Sequence, residues 1–321
     1  MDKQILVGFA IFLILLAPLA SSESDEEFAV DYSKPEMTTG DYFLYELDMT
    51  GLVNTMEIEE IEEVRENSNS GMRLEYGGDS CLQTNWSDCR IGLMNWDLNL
   101  TMVFSNGSGI DNDQIIMLRN TESTNVFSEM KSEDTTVLTI DMWYTIDGEA
   151  YHEEMMMTEV SITTKAEKST REFVIAGDTW TTGKSVETIT NEKWRMNGEP
   201  WEYEDEIIEN ESITTNYNAE NISNVYIKNT SYQTLKIKSQ ELGSDEMKYD
   251  YLTDSGMSVK RESYKNGSLQ MIATLADYSW TNEPTKTSDN IANLDDEMPG
   301  FTLVSALLAS MSAIFFVSRN E

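Results

Sequence analysis

The chain predicts a mainly β protein built as an antiparallel meander, and three observations predict it. Apolar and polar residues alternate along Leu138-Thr139-Ile140-Asp141-Met142-Trp143-Tyr144-Thr145-Ile146, the period of a strand with one buried face. Runs of this kind end on hairpin dipeptides such as Asp147-Gly148 and Asn266-Gly267. Between the two ends of the chain there is no long amphipathic segment with helix start and stop signals. The meander is expected to form one extended curved sheet or two half-barrel-like units, followed by a C-terminal hydrophobic helix.

The elements follow in order. Met1-Asp2-Lys3-Gln4 is a short polar start, Ile5 to Leu16 is continuously apolar, and Ala20-Ser21-Ser22 offers small residues for cleavage. That order predicts a signal peptide over 1–22 and a mature N-terminus near Glu23, with signal peptidase as a processing partner. Residues 23–39 read as an acidic flexible segment, and a β-rich extracellular domain is expected over 40–283.

Gly40 to Met49 predicts the first strand of that domain. Val53 to Val64 fits either period, but no cap precedes it and Ser68-Asn69-Ser70-Gly71 looks like a hairpin loop, so a strand is expected. Gly177-Asp178-Thr179-Trp180 opens another strand after a polar stretch, which suggests a subdivision near 176. Tyr232 to Ile237 is a further strand. From Tyr249 to Tyr278 the meander is explicit: Tyr249 to Leu252, a turn at Asp254-Ser255-Gly256, Met257 to Tyr264, the Asn266-Gly267 turn, then Leu269 to Tyr278. A weak repeat aligns Trp143 to Tyr151 with Trp194 to Trp201. Ile162-Thr163-Thr164 and Ile213-Thr214-Thr215 follow the two copies. It reads either as a reused hairpin or as shared turn chemistry.

Charge narrows the function. Twenty-two basic against 58 acidic residues give a formal net charge of −36. A nucleic-acid binder needs basic surface, so no nucleic-acid partner is expected. The acidic runs Glu23 to Glu27, Glu57 to Glu63 and Asp295-Asp296-Glu297 lack the spaced Asp/Asn/Gly loop of a calcium site and read as solvated surface.

Cys81 and Cys89 are the only cysteines, and in an exported chain they are expected to form a disulfide. A two-thiolate metal site lacks partners, because His152 is the only histidine. Glycosylation acceptor patterns begin at Asn85, Asn99, Asn106, Asn210, Asn221, Asn229 and Asn266.

Catalytic motifs are sparse. One histidine removes most nucleophile–histidine arrangements, and there is no phosphate-binding glycine loop or Gly-x-Ser-x-Gly elbow. No cofactor is indicated. Met155-Met156-Met157 suits Cu(I) by its thioethers and a packed core by its shape. Trp180, Trp194, Trp201, Trp280 and Tyr151 either line a glycan or lipid cleft or pack as core and cross-strand pairs.

The C-terminus carries the clearest signal. Residues 284–298 read as an acidic stalk, and Pro299-Gly300-Phe301 stands before the uncharged apolar run Thr302 to Val317, with Arg319 beyond it. A segment over 301–317 is at the short end of what spans a bilayer, near 17 residues against a usual 20 or so. This order resembles the PGF-CTERM signal of archaeal surface proteins. The resemblance implies recognition by an archaeosortase-like processing enzyme, removal of the tail over 299–321, and a lipid anchor at the outer face of the cell membrane. The order of strands over Gly177 to Trp280 is faintly similar to LolA-like proteins, implying a curved sheet around an apolar cavity.

The expected function is an exported, membrane- or lipid-anchored cell-surface protein whose ectodomain is not an enzyme. It would bind an apolar or glycan ligand or act structurally in the envelope. The alternative is a secreted hydrolase using carboxylates alone, such as a glycosidase.

Overall fold

Alternation at period two carries nearly all of the described chain into strands. The structure, a computed structural model, describes residues 28–31, 36–49, 51, 61–66, 70–79, 90–104, 114–127, 131–146, 148–167, 173–195, 199–203 and 206–282. In chain order the strands are β1 (Ala29–Asp31), β2 (Tyr42–Asp48), β3 (Ile61–Glu66), β4 (Gly71–Gly78), β5 (Arg90–Phe104) and β6 (Gln114–Phe127). Then come β7 (Lys131–Ile146), β8 (Glu149–Glu167), β9 (Phe173–Ile175), β10 (Thr179–Asn191), β11 (Lys193–Trp194) and β12 (Glu202–Tyr203). The last five are β13 (Ile207–Ile227), β14 (Thr230–Glu241), β15 (Glu246–Leu252), β16 (Ser258–Lys265) and β17 (Ser268–Ser279).

The principal sheet runs β5-β4-β2-β17-β16-β15-β14-β13-β10-β8-β7-β6, and β6 pairs back onto β5 from Arg90↔Phe127 to Val103↔Gln114. The result is a closed antiparallel barrel of 12 strands. Closure removes the exposed edges that an open sheet of this length would present. It also decides between the two expected arrangements: the meander is one sheet closed on itself. Strands on both sides of residue 176 belong to it, since β8 pairs β10 directly. The short β3 pairs the far half of β5, and β1–β9 and β11–β12 are separate two-stranded ribbons.

The expected turns form where left-handed backbone is needed. At the β16–β17 hairpin Asn266 and Gly267 both take positive φ, 51° and 77°, the requirement of a two-residue turn that matches strand twist. Of the stretch expected as a strand over Val53 to Val64, residues 61–64 are described and lie in β3. The predicted signal peptide 1–22, the stalk 284–298 and the C-terminal helix lie outside the described residues. Among the described residues no helix is long and apolar enough to cross a membrane.

One face of every barrel strand points inward, and the register identifies it. Tyr45 of β2 pairs Met72 of β4, Met72 pairs Trp96 of β5, and Trp96 pairs Thr121 of β6. On this face Phe43, Tyr45, Leu47, Met72, Met94, Trp96, Leu98, Leu100, Met102, Met117, Ile140, Met142, Met271 and Leu275 form the main core. Each such large side chain contributes about 1.5–3 kcal/mol relative to exposure. A smaller cluster joins Val30 and Val174 of the β1–β9 ribbon to Trp180, Ala219, Leu235, Ile237 and Leu252.

The chain enters and leaves the barrel at one rim. β2 begins where β17 ends, with Tyr42 opposite Ser279. Beyond them the Trp280 indole N–H donates to the Glu36 carbonyl at 3.0 Å, so the exit is fastened to the entry.

Candidate functional site

Along β6 the inward face changes character. Ile115, Met117, Arg119, Thr121, Ser123 and Asn125 alternate inward and are all buried, so an apolar half gives way to a hydrogen-bonding half within one strand. The neighbours follow suit. On β7 Met142, Ile140 and Leu138 lead to Thr136 and Asp134, and on β8 Met155 and Met157 lead to Glu159 and Ser161. Burying polar groups is unfavourable unless they find partners. Where these groups find them defines the site.

Arg119 is 3% exposed, its guanidinium lies 4.6 Å from the ring centroid of Trp96, and its Nε donates to Thr121 Oγ1 at 3.2 Å. Burial pulls this guanidinium down to about 10, far below the usual arginine range. The indole N–H of Trp96 is buried and has no acceptor among the described residues. Ser123 and Thr136 share a hydroxyl–hydroxyl hydrogen bond at 2.7 Å across β6–β7.

Further toward the rim where β6 ends, Asn125 donates from Nδ2 to Asp134 Oδ1, while its own Oδ1 has no donor among the described residues. Burial raises the Asp134 carboxyl to about 6. Asn125 and Lys184 work against that rise, and the charges of Glu159 and Glu133 reinforce it. Burial likewise raises Glu159, opposed by the Ser161 hydroxyl, which donates to it at 3.4 Å.

A second set of charges lies on the inward face of β15 and β16. Arg261 Nε donates to Asp250 Oδ1 at 2.6 Å, and Lys265 Nζ to Glu246 Oε1 at 3.2 Å. Tyr45 donates its hydroxyl to the Ser258 carbonyl at 2.8 Å, and burial pushes its pKa well up. Lys248 is held below the ordinary lysine value by burial first and the Arg261 charge second. These groups pair among themselves and read as internal cross-links of the wall.

The residues singled out in the sequence fall in different places. Cys81 and Cys89, Asn85 and Asn106, and Pro299, Gly300 and Phe301 lie outside the described residues. Asn210, Asn221, Asn229 and Asn266 are exposed, while Asn99 on β5 is half-buried. The candidate aromatic cleft is not assembled. Trp180 stacks on Tyr217 at 4.9 Å in the smaller core, and Trp280 packs edge-on against Phe43 at 5.9 Å. Trp201 lies beneath Lys193 and Arg195 beside β11, and Tyr151 stacks on Tyr144 at 5.5 Å. Met155 and Met157 pack against the main core, so the methionine triplet supplies packing from alternate positions. Among the described residues no group of three or more His, Cys, Asp or Glu is arranged to hold a metal ion.

Sequence reading missed Arg119, Asn125 and Asp134. The available signal was an arginine at an inward position of a strand that begins Gln114-Ile115-Ile116-Met117. Reading it required the register of β6, which the sequence alone did not supply.

No protein-family model matches the chain, and no curated protein is similar to it in sequence. Among solved structures it is similar to a β-barrel-like protein of a domain of unknown function, DUF1849, from Brucella abortus. That likeness has 8% identity and a TM-score of 0.40, and covers 77% of this chain and 100% of that one.

Proposed function

We propose that this chain is an exported barrel protein, held at the outer face of a membrane by its C-terminal segment, whose interior binds a hydroxyl-rich ligand of the glycan class without converting it. The observation that carries the ligand is the buried Trp96 indole N–H, unpartnered among the described residues. It stands beside Arg119 and in register with Thr121. A barrel of about eight strands is filled by its own side chains, and the diameter grows with strand number. The apolar half of this wider barrel is packed by Trp, Leu and Met. The hydrogen-bonding half of β6 carries Arg119 and then the short Thr121, Ser123 and Asn125. A sugar hydroxyl accepts from Trp96 and donates to Ser123 or Thr121.

The anchoring rests on sequence order. An apolar 5–16 with a small-residue exit, and Pro299-Gly300-Phe301 before an uncharged run, bracket the barrel. Entry and exit at one rim suit a protein tethered at one end. Calorimetric titration with a panel of neutral oligosaccharides tests the ligand. Thr121→Val together with Ser123→Val should weaken the binding sugar about tenfold, the worth of one net hydrogen bond. A panel in which no sugar binds would overturn the reading.

A second reading has one specific observation behind it. Asp134 and Glu159 sit on adjacent strands, both raised by burial, and a carboxyl titrating near 6 is suited to general-acid work. Glycoside turnover that disappears in Asp134→Asn and in Glu159→Gln would replace binding by hydrolysis.

A further inference from the structure

We propose that Asn210 carries an N-linked glycan whose first sugar occupies a hollow on the outer face of the barrel and covers the apolar residues beside it. The inference rests on the export reading and is independent of the interior ligand. Asn210-Glu211-Ser212 is an acceptor pattern on β13. Every residue of β13 from Ile207 to Ser212 is exposed, so a transferase reaches the asparagine in the folded chain. Thr188 and Thr190 of β10 pair with the inward Ser161 and Glu159, so Ser185, Glu187 and Ile189 face outward. Their partners on β13 are Ser212, Asn210 and Ile208, which puts both acceptor side chains on the outer face together.

The surface is concave at this point. Thr164, Ser185, Glu187, Asn210 and Ser212 line a shallow hollow of about 290 Å³ that lies open to solvent. Free ligands use more enclosed pockets, ~300–1,000 Å³ in volume. A tethered sugar needs no such enclosure, because its attachment keeps it at high local concentration. Thr164, Ser185 and Ser212 bring hydroxyls to the hollow, the groups that pair with a sugar's own.

Beside the hollow the outer face turns apolar. Ile208, 54% exposed, lies two residues before Asn210, and it pairs with Ile189, which pairs with Val160. A sugar ring laid over this row takes apolar area out of water with its C–H face and leaves its hydroxyls solvated. The attachment is a glycosyl transfer from a lipid-linked sugar phosphate. A bond forms from Asn210 Nδ2 to the anomeric carbon as the bond from that carbon to the phosphate oxygen breaks. The phosphate leaves with its oxygen, and the amide releases one proton.

The test is mass-spectrometric peptide mapping of the full chain purified from its own cells. The peptide holding Asn210 should be heavier than its sequence by at least one sugar. Ser212→Ala should lose that mass, and Ser212→Thr should keep it. Ser212→Ala should also bind more of an apolar dye than Ser212→Thr, because Ile189 and Ile208 are then uncovered. Equal dye binding by the two variants would overturn the covering role. An unmodified Asn210 in wild type would overturn the proposal, whether or not a variant folds, and the N-terminal peptide of the same map shows how far that failure reaches. A mature start near Glu23 leaves export standing, whereas an intact 1–22 removes export as well.

Discussion

Thr281 donates two hydrogen bonds to one carboxylate oxygen of Asp41, from its backbone N–H at 3.0 Å and from its hydroxyl at 2.6 Å. The other oxygen of Asp41 accepts from the Thr38 N–H at 2.7 Å. A residue 240 positions away in sequence is thereby clamped to the turn that opens the barrel. Burial opposes the charged form of Asp41, but the Thr281 and Thr38 donors outweigh it and hold its pKa below the usual aspartate value.

Replacing Asp41 with Ala should therefore cost about 2–3 kcal/mol, since three hydrogen bonds to one charged group are lost together. The sign with pH follows from the lowered pKa. The stabilisation is present above the unfolded value of 3.8 and disappears as pH falls through the lower folded value. Urea midpoints of wild type and variant should differ at pH 7 and converge in strong acid. A constant gap across that range would show that the clamp acts through packing alone.

Asp134 predicts the opposite slope. Its folded pKa, about 6, lies above the unfolded 3.8, so its contribution is fully present below the unfolded value and is lost as pH rises through 6. Asp134→Asn should be more stable than wild type at pH 7 by about 1–3 kcal/mol. Near pH 3.5 the two should be equal. A variant less stable than wild type at neutral pH would mean that the Asn125–Asp134 contact matters more than the buried charge.

The two cases show what was legible beforehand. Strand period, the Asp147-Gly148 and Asn266-Gly267 turns and the C-terminal meander were readable because each is local chemistry: alternation, positive φ, short loops. Closure was not readable. It depends on Val103 meeting Gln114 and on Arg90 meeting Phe127, pairings that leave no trace in composition. The interior site was illegible for the same reason. Arg119, Asn125 and Asp134 look like ordinary polar strand residues until the register shows that they share a face with Ile140 and Met117. Of the two readings open for the aromatic residues, Trp180 and Trp280 take the packed one, in separate cores with Tyr217 and Phe43.

The core gives a sharp contrast between positions. Ile140 is fully buried and Ile208 is 54% exposed. Ile140→Ala should cost about 2–5 kcal/mol through lost transfer energy and the cavity left behind. Ile208→Ala should stay within about 0.5 kcal/mol. Denaturant titrations that rank the two variants the other way would contradict the inward assignment of the β7 face.

If the chain is exported as proposed, Cys81 and Cys89, its only cysteines, should be joined to each other. Alkylation of the native, non-reduced protein should modify neither, and reduction should expose both. Labelling of both cysteines without reductant would place the chain in a reducing compartment and count against export.

The last prediction concerns the tether. Residues 302–317 carry no charge and lie at the short end of a bilayer span, enough to hold a chain during processing and marginal as a lasting anchor. If Pro299-Gly300-Phe301 is a processing signal, that segment is a temporary stop which sets the tripeptide at the outer surface. The acidic 284–298 stretch then gives an enzyme access between barrel and membrane. Changing Gly300-Phe301 to Ala-Ala barely alters apolarity, so insertion should survive while tail removal fails. Intact-mass measurement should find wild type without Arg319 and the variant with it. Retention of Arg319 in both would make the tail a plain membrane anchor, leaving the surface location in place and removing the processing step.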